Sequence, residues 1–499
     1  MGNRRDGLVH ELVLPTLLFA ALGGMTWAVR GCSGFGAFNG CVFAGVTWGA
    51  AWWYLASVPS GEQTRRYASA WIVPALTFGI GLSGARGWMQ WPSFFEGKLQ
   101  TDTAHGLFVP IPRAYGFLWL FIAGVPWAGI GACALAWCGS LRETRIWHWV
   151  LRIGFGVGTA ALARYLFNKY PQHFLPLYDQ LAERYRHSNT RADPNLRRLI
   201  GDCGAALYHL GFYLGFLFYE IVRRDWKNAV LILTVGVVNG AGWALCQNWK
   251  WANALWGSGT FNFWRCWESC GGISIGVAYG LAWFLVNRRM SQREREAVEA
   301  RRSNELGGAE RLAIYLAVAL FVAGFLRYQI DGWGNIYMAA VILFGIAFYA
   351  INHGPTGGYS DPEFQRWGLS LGLLGGLGLS IRNGLKGWFN IYLGNERYWD
   401  GRLWRYFGPA ILAGLIAAGT CVLIGSLMGR SRRDASRHAY AWMWLVLLVQ
   451  NAIAQLITGP HTQWSETAFG IYYLLLFAIT AVIVLYFRPA ATHDAGGQS

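Results

Sequence analysis

Apolar runs of about twenty residues recur from one end of this chain to the other, and they limit its fold more than any other feature. An α-helix rises about 1.5 Å per residue, so each run is long enough to cross the ~30 Å hydrocarbon core of a bilayer. Of the 499 residues, 54% are hydrophobic and only 14% are charged, whereas soluble domains carry about 25% charged residues. The sequence therefore predicts an all-α polytopic membrane protein.

The apolar runs predict about fourteen transmembrane helices. In chain order they lie at 8–30, 35–58, 69–90, 115–139, 146–167, 198–222, 228–249, 269–288, 311–330, 335–352, 367–388, 406–428, 439–458 and 467–487. We expect the first eight to form an N-terminal membrane half at 1–290 and the last six a C-terminal half at 311–499. The polar, mixed-charge segment between them, at 291–310, is typical of a cytoplasmic linker or solvated helix.

Basic residues are concentrated in alternate connections, such as RR at 65–66, SLRETR at 140–145 and VRRDWK at 222–227. Because Lys and Arg mark cytoplasmic loops, we expect both termini in the cytoplasm and the chain in the inner (cytoplasmic) membrane. The same rule accounts for the net charge of +16, which in a soluble protein would suggest a nucleic-acid partner. The expected partners are therefore membrane lipids and not nucleic acid.

The odd-numbered spans share a pattern, as in FGIGLSGARGWMQW at 78–91 and LGLSIRNGLKGWFN at 377–390. Small residues lead to a polar residue near the outer end of the span, and Gly and aromatic residues follow. This predicts a repeat of two-helix hairpins. In the alternative interpretation, every outward-going helix simply ends in a snorkelling arginine and an interfacial tryptophan. That alternative explains the residue types but not the shared small-residue stretch.

The matched polar and aromatic residues of these spans form the predicted binding site. Its members are Arg30, Arg86, Arg164, Arg327 and Arg382, the amides Asn239, Asn451 and Gln455, and the tryptophans Trp88, Trp91, Trp243, Trp333 and Trp388. Guanidinium forks in a partly dry pocket suit carboxylate, sulfate or phosphate groups, and indole rings stack on sugars. We therefore predict a transporter or flippase-like protein that takes a small anionic or glycan-type solute, or a lipid-linked headgroup, from the periplasmic side.

Two other functions remain open. Asp102 with His105, and Glu396 with Asp400, offer acid–base groups for a membrane enzyme that acts on a glycan or lipid carrier. A structural or assembly subunit that holds lipid, pigment or protein on a Trp-rich surface is the third.

The sequence predicts no metal or cofactor, because it has no CxxC pair and no HxxxH spacing within a span. Cys266 and Cys270 lie four residues apart, and whether they form a disulfide is left open. The oligomeric state is open as well.

The predicted span count and the cavity arginines are similar to those of the lipid-linked-oligosaccharide flippase class. The stretch VRGCSGFGAFNG at 29–40 resembles the Gly/Cys signature of thiosulfate-uptake membrane proteins. The first likeness rests on span count and charge, and the second covers a dozen residues of one hairpin. Neither resemblance assigns a role to any residue of this chain.

Overall fold

The computed structural model describes most of the chain. It covers residues 7–31, 37–57, 65–84, 91–102, 105–142, 144–187, 194–251, 263–288, 290–299, 362–392, 403–430, 435–458 and 464–486, with isolated positions between 312 and 324. The predicted spans at 311–330 and 335–352 lie almost entirely outside these residues.

Helices account for nearly all of the described residues. The N-terminal helices are α1 (Leu14–Thr26), α2 (Ala28–Gly31), α3 (Ala37–Ser57), α4 (Ile72–Gly84), α5 (Trp91–Phe95), α6 (Ala114–Trp137), α7 (Ile146–Lys169), α8 (Tyr178–His187), α9 (Pro194–Val222), α10 (Trp226–Cys246), α11 (Phe263–Val286) and α12 (Gln292–Glu299). The C-terminal helices are α13 (Pro362–Tyr392), α14 (Leu403–Arg430), α15 (Ala435–Thr458) and α16 (Trp464–Tyr486). A single antiparallel hairpin of β1 (Lys98–Asp102) and β2 (Leu107–Pro110) is described between α5 and α6, and it pairs Lys98 with Pro110.

Seven stretches of described helix are long and apolar enough to cross a membrane. They are Val9–Thr26, Ala114–Trp137, Ile146–Lys169, Leu199–Val222, Trp226–Trp249, Phe263–Val286 and Thr467–Leu485. These helices support the prediction of a helical membrane protein. The count of fourteen spans, the hairpin repeat and the side on which the termini lie remain predictions.

The core of the bundle is built around α3, whose central residues are buried on every side. Its indoles are anchored by hydrogen bonds: Trp48 Nε1 donates to the carbonyl of Phe19 on α1, and Trp52 Nε1 donates to that of Tyr67, both at 3.0 Å. At the periphery, α7 instead exposes an apolar face that includes Val150 and Ile153. A helix that exposes apolar side chains along its length is suited to contact lipid.

Glycines bring several core helices into backbone contact. A Cβ atom at Gly272 of α11 would lie 2.1 Å from the carbonyl oxygen of Gly23 on α1, and one at Gly276 would lie 2.2 Å from that of Phe19. On α3, a Cβ atom at Gly45 would meet the Leu76 carbonyl oxygen of α4 at 2.7 Å. The Gly-xxx-Gly stretches at 45–49 and 276–280 are therefore helix-packing surfaces, as small residues at this spacing predict in lipid.

The start of α11 differs from the sequence prediction. The predicted span begins at residue 269, whereas the helix begins at Phe263 and takes in Arg265 and Glu268. Both charged side chains are buried. The charges in FWRCWES favour a loop when they are counted along the sequence, but tertiary contacts cover them and allow the helix to start earlier.

Candidate functional site

Four tryptophans meet in the interior of the bundle, one from the turn between α1 and α2 and one each from α6, α10 and α11. We call Trp27, Trp127, Trp243 and Trp267 the tryptophan cluster. Trp243 is central: its ring centroid lies 4.6 Å from that of Trp127, 6.4 Å from that of Trp27 and 4.7 Å from the stacked ring of Trp267. Glycine makes room for it, because a Cβ atom at Gly271 would lie 1.9 Å from its indole ring. Of these four tryptophans, Trp243 is the one that was predicted from the sequence as a site residue.

A polar stripe runs along α10 on either side of Trp243. Asn239, Trp243 and Gln247 are spaced four residues apart and therefore lie on one face of the helix turn after turn. Asn239 and Gln247 are 0% exposed. Asn239 Nδ2 donates to the Gly124 carbonyl oxygen at 2.6 Å, but its Oδ1 has no hydrogen-bond partner among the described residues. Neither amide atom of Gln247 has one either.

Buried polar atoms without partners cost about 1–3 kcal/mol each, and in most proteins such atoms bind water or a ligand. The stripe gathers three of these atoms beside an aromatic surface. It can therefore offer one acceptor at Asn239 and both a donor and an acceptor at Gln247. Ser274 Oγ of α11, which faces Gly242 of α10, is a fourth buried atom without a hydrogen-bond partner among the described residues.

The other face of α11 carries buried charge. Arg265 and Glu268 lie one turn apart, and the Arg265 guanidinium sits 5.5 Å from the ring centroid of Phe469 on α16. Ser269 Oγ donates to the Gly24 carbonyl oxygen at 2.8 Å and lies 2.9 Å from the Tyr472 hydroxyl. This face thus joins α11 to α1 and α16 through polar contacts.

The predicted arginines lie in different surroundings. Arg382 is buried on α13, and its Nη1 donates to Asn383 Oδ1 at 3.1 Å. Arg164 is exposed on the outer face of α7 beside exposed Tyr165, as expected for an arginine that snorkels to headgroups. Arg30 lies on α2, which packs against α11.

The remaining predicted residues divide into buried and undescribed ones. Trp91 is buried and stacks on Trp119 with a centroid distance of 5.9 Å, so it is part of the packed interior. Asn451 is buried on α15, its Oδ1 has no partner among the described residues, and Gln455 is half-buried one turn further on. The predicted site residues outside the described residues are Arg86, Trp88, Arg327 and Trp333, together with the side chains of Arg30 and Trp388.

The structure describes only some of the acid–base residues that the sequence offers for a membrane enzyme. His105 Nδ1 lies 2.9 Å from Asp102 Oδ2 at the tip of the β1–β2 hairpin, where the histidine is well exposed. Glu396 and Asp400 lie outside the described residues. Within the residues that the structure describes, no group of three His, Cys, Asp or Glu side chains is placed to hold a metal ion.

A fully buried ion pair lies elsewhere, between Arg152 of α7 and Glu220 of α9. Arg152 Nε donates to Glu220 Oε1 at 2.8 Å, and Nη2 lies 2.6 Å from the same oxygen. The guanidinium sits 4.6 Å from the ring centroid of Trp149 and 5.3 Å from that of Trp137. Asn228 Nδ2 donates to the other carboxylate oxygen at 3.2 Å. The two side chains are 1% and 0% exposed.

This pair adjoins a set of charged contacts that we call the charged end of the bundle. Arg65 forms a bidentate ion pair with Glu11, in which Nη1 donates to Oε2 at 2.7 Å and Nη2 donates to Oε1 at 2.9 Å. Arg66 reaches both Asp225 at 4.0 Å and Glu294 at 3.9 Å. The basic connections that the sequence predicts to be cytoplasmic therefore meet at one end of the molecule. Which side of the membrane that end faces remains a prediction.

Glu294, on α12, shows how the charged end acts on a carboxylate. Burial raises its pKa, but hydrogen bonds from Ser291 and the positive charges of Lys227 and Arg66 outweigh burial, and the pKa falls below its ordinary value. The carboxylate is thus held in its charged form next to Arg66, and α12 is tied to the bundle at that point.

Sequence reasoning missed Arg265, Glu268 and the amide of Gln247 as site residues, and it did not predict the pairing of Arg152 with Glu220. The Arg152–Glu220 pair joins positions 68 residues apart, so no local pattern reveals it. Arg265 and Glu268 do carry a local signal: with Trp264 and Trp267 they form two interleaved pairs at three-residue spacing. Three-residue spacing places the members of each pair on one face of a helix, a signal that is overlooked when only the charges are counted.

Comparison with known proteins yields no relative: no family model, no curated protein and no solved structure matches this chain.

Proposed function

We propose that this chain is a membrane transporter or flippase-like protein that binds a polar, anionic or glycan-type solute, or the headgroup of a lipid, between α10 and α11. The tryptophan cluster supplies the stacking surface, and Asn239 and Gln247 supply hydrogen bonds. We assign the preference for an anion to buried arginines such as Arg382, which lies apart from this site on α13, a helix that packs against α3, α4, α14 and α15.

The buried amide of Gln247 carries this proposal. A glutamine that served only to fill space would leave two polar atoms without partners at a cost of about 1–3 kcal/mol each, and leucine would fill the same volume without that cost. A ligand with hydroxyl or carboxylate groups satisfies both amide atoms. The adjacent indoles suit the apolar face of a sugar ring, so the geometry favours a sugar acid or sugar phosphate over a small inorganic anion.

We expect Gln247→Leu to weaken ligand binding about tenfold while leaving the stability of the ligand-free protein unchanged or slightly higher. The variant removes hydrogen bonds to the ligand worth about 0.5–1.5 kcal/mol each, and it also removes the buried polar atoms. The measurement is thermal stabilisation of the purified protein by glucuronate, glucose 6-phosphate, glucose and inorganic phosphate. Ligand that binds only the folded state at 100 times its Kd adds about 2.7 kcal/mol.

Asn248→Leu is the matched control, because Asn248 follows Gln247 directly but is exposed and bonded to the carbonyl of Leu245. It should bind as the wild type does. If Gln247→Leu kept wild-type affinity for each compound that stabilises the wild type, the amide would be satisfied by water and the proposed site would be wrong.

The anion preference is tested separately with Arg382→Ala and Arg164→Ala. Arg382 is buried and Arg164 is exposed on the outer face, so only the first should reduce uptake of glucuronate or phosphate into proteoliposomes. We expect a reduction of at least tenfold, since hydrogen bonds to charged groups are worth about 1.5–3 kcal/mol. If both variants folded as the wild type does and took up these anions equally well, the arginines would have no part in anion binding.

A further inference from the structure

Cys246 and Cys270, on adjacent helices, form a close pair of thiols. Cys246 is the last residue of α10, and Cys270 lies two turns into α11. The thiols of Cys246 and Cys270 lie within hydrogen-bond distance of each other. The indole N–H of Trp249 donates to Cys270 Sγ at 2.9 Å. The Cys270 sulfur is therefore in contact with both the Trp249 indole and the Cys246 thiol.

Cys266 is the competing partner for Cys270, and helix geometry disfavours it. Residues four apart on one helix have Cβ atoms about 5–6 Å apart, whereas a disulfide needs about 3.5–4.5 Å. A bridge between Cys266 and Cys270 would require the first turns of α11 to unwind. Cys246 approaches from the neighbouring helix and needs no such change.

The pair is also within reach of reagents. Cys246 and Cys270 are half-buried, whereas Cys266, Cys133 and Cys203 are buried. A small disulfide can therefore reach the pair more readily than it reaches these other thiols.

We infer that Cys246 and Cys270 are a reversible redox site that closes to a disulfide by exchange with a small disulfide such as oxidised glutathione. The Cys270 thiolate attacks one sulfur of the reagent, the reagent's S–S bond breaks, and one glutathione leaves as a thiolate. Cys246 then loses its proton and attacks Cys270 Sγ in the mixed disulfide, which releases the second glutathione. Two protein thiols are oxidised, and one disulfide is reduced to two thiols.

Closure of this disulfide ties α10 to α11 beside the tryptophan cluster. Trp243 and Trp267, which stack at 4.7 Å, lie on the same two helices. Oxidation would therefore fix the separation of these two helices beside the cluster.

The test begins with the purified full-length wild type, reduced and then treated with oxidised glutathione. After denaturation, we expect the number of titratable thiols to fall by two from the nine of the chain. Mass spectrometry of the unreduced digest should show a peptide pair that joins Cys246 to Cys270, lighter by two hydrogen atoms. An unchanged thiol count, or a bridge between Cys266 and Cys270 in its place, would overturn the inference.

Three serine variants assign the bridge to its residues. Cys246→Ser and Cys270→Ser should each lose it, and Cys266→Ser, the control from the same helix, should keep it with the same loss of two thiols. A two-thiol loss that persists in folded Cys246→Ser would contradict the pairing. The wild-type peptide map decides the question even if a variant fails to fold.

Discussion

Replacing Glu220 with alanine is expected to lower the free energy of unfolding by about 3–5 kcal/mol. The substitution leaves the guanidinium of Arg152 buried between Trp137 and Trp149 without a carboxylate. It also removes the acceptor for Asn228 Nδ2. The measurement is reversible unfolding in mixed micelles by titration with a denaturing detergent, followed by circular dichroism.

The large cost should belong to the unpaired charge and not to the loss of the pair. We therefore expect Arg152→Leu combined with Glu220→Leu to be markedly more stable than Glu220→Ala, because no charge remains buried. Arg164→Ala, on the same helix as Arg152 but exposed, should change stability by less than about 0.5 kcal/mol. If Glu220→Ala unfolded with the wild-type midpoint, Arg152 would have to reach water or another acid in the folded protein.

The second large effect is expected from Gly276→Ala, which should destabilise the protein by about 3 kcal/mol or more. The added Cβ atom would lie 2.2 Å from the carbonyl oxygen of Phe19 and 2.6 Å from the Cα of Ala20. Both neighbours are backbone atoms, so no side-chain rotation relieves the clash, and α1 must move away from α11. The same detergent titration measures the loss.

Gly154→Ala is the matched control for this substitution. Gly154 lies within α7, and nothing stands within 4 Å of the position of an added Cβ atom. Alanine there should be neutral or stabilise the helix by up to about 1 kcal/mol, since it restricts the unfolded chain. Similar losses for both variants would mean that helix propensity, and not the contact with α1, sets the effect at Gly276.

The helices were predictable from the sequence because their signal is local. Apolar runs between polar connections placed α6 at 115–139 and α7 at 146–167, within a few residues of the observed Ala114–Trp137 and Ile146–Lys169. The Gly-xxx-Gly stretches predicted close packing for the same reason. An apolar run or a Gly-xxx-Gly stretch can be recognised from its own residues, without knowing which other segments it contacts.

The candidate site was only partly predictable, because its parts meet through tertiary contacts. Asn239 and Trp243 were recognised from their place in the apparent repeat. Trp27 and Trp127 were not, since tryptophan is as typical of the membrane interface as of a packed interior. Glycines on facing helices, such as Gly271 opposite Trp243, make room for a tryptophan in the interior. Which helices face each other cannot be read from the sequence of either helix alone.

The contact between α1 and α11 cannot form until both helices have been synthesised. The hydrogen bond from Ser269 to the carbonyl of Gly24 joins residues 245 positions apart. At about 5–20 residues per second, the ribosome needs on the order of 10–50 s to make the chain between them. Throughout that interval the glycine face of α1 has no α11 to cover it and must be shielded by lipid or by the insertion machinery. A nascent chain that stops before α11 therefore keeps this glycine face without its partner helix, however well its earlier helices have inserted.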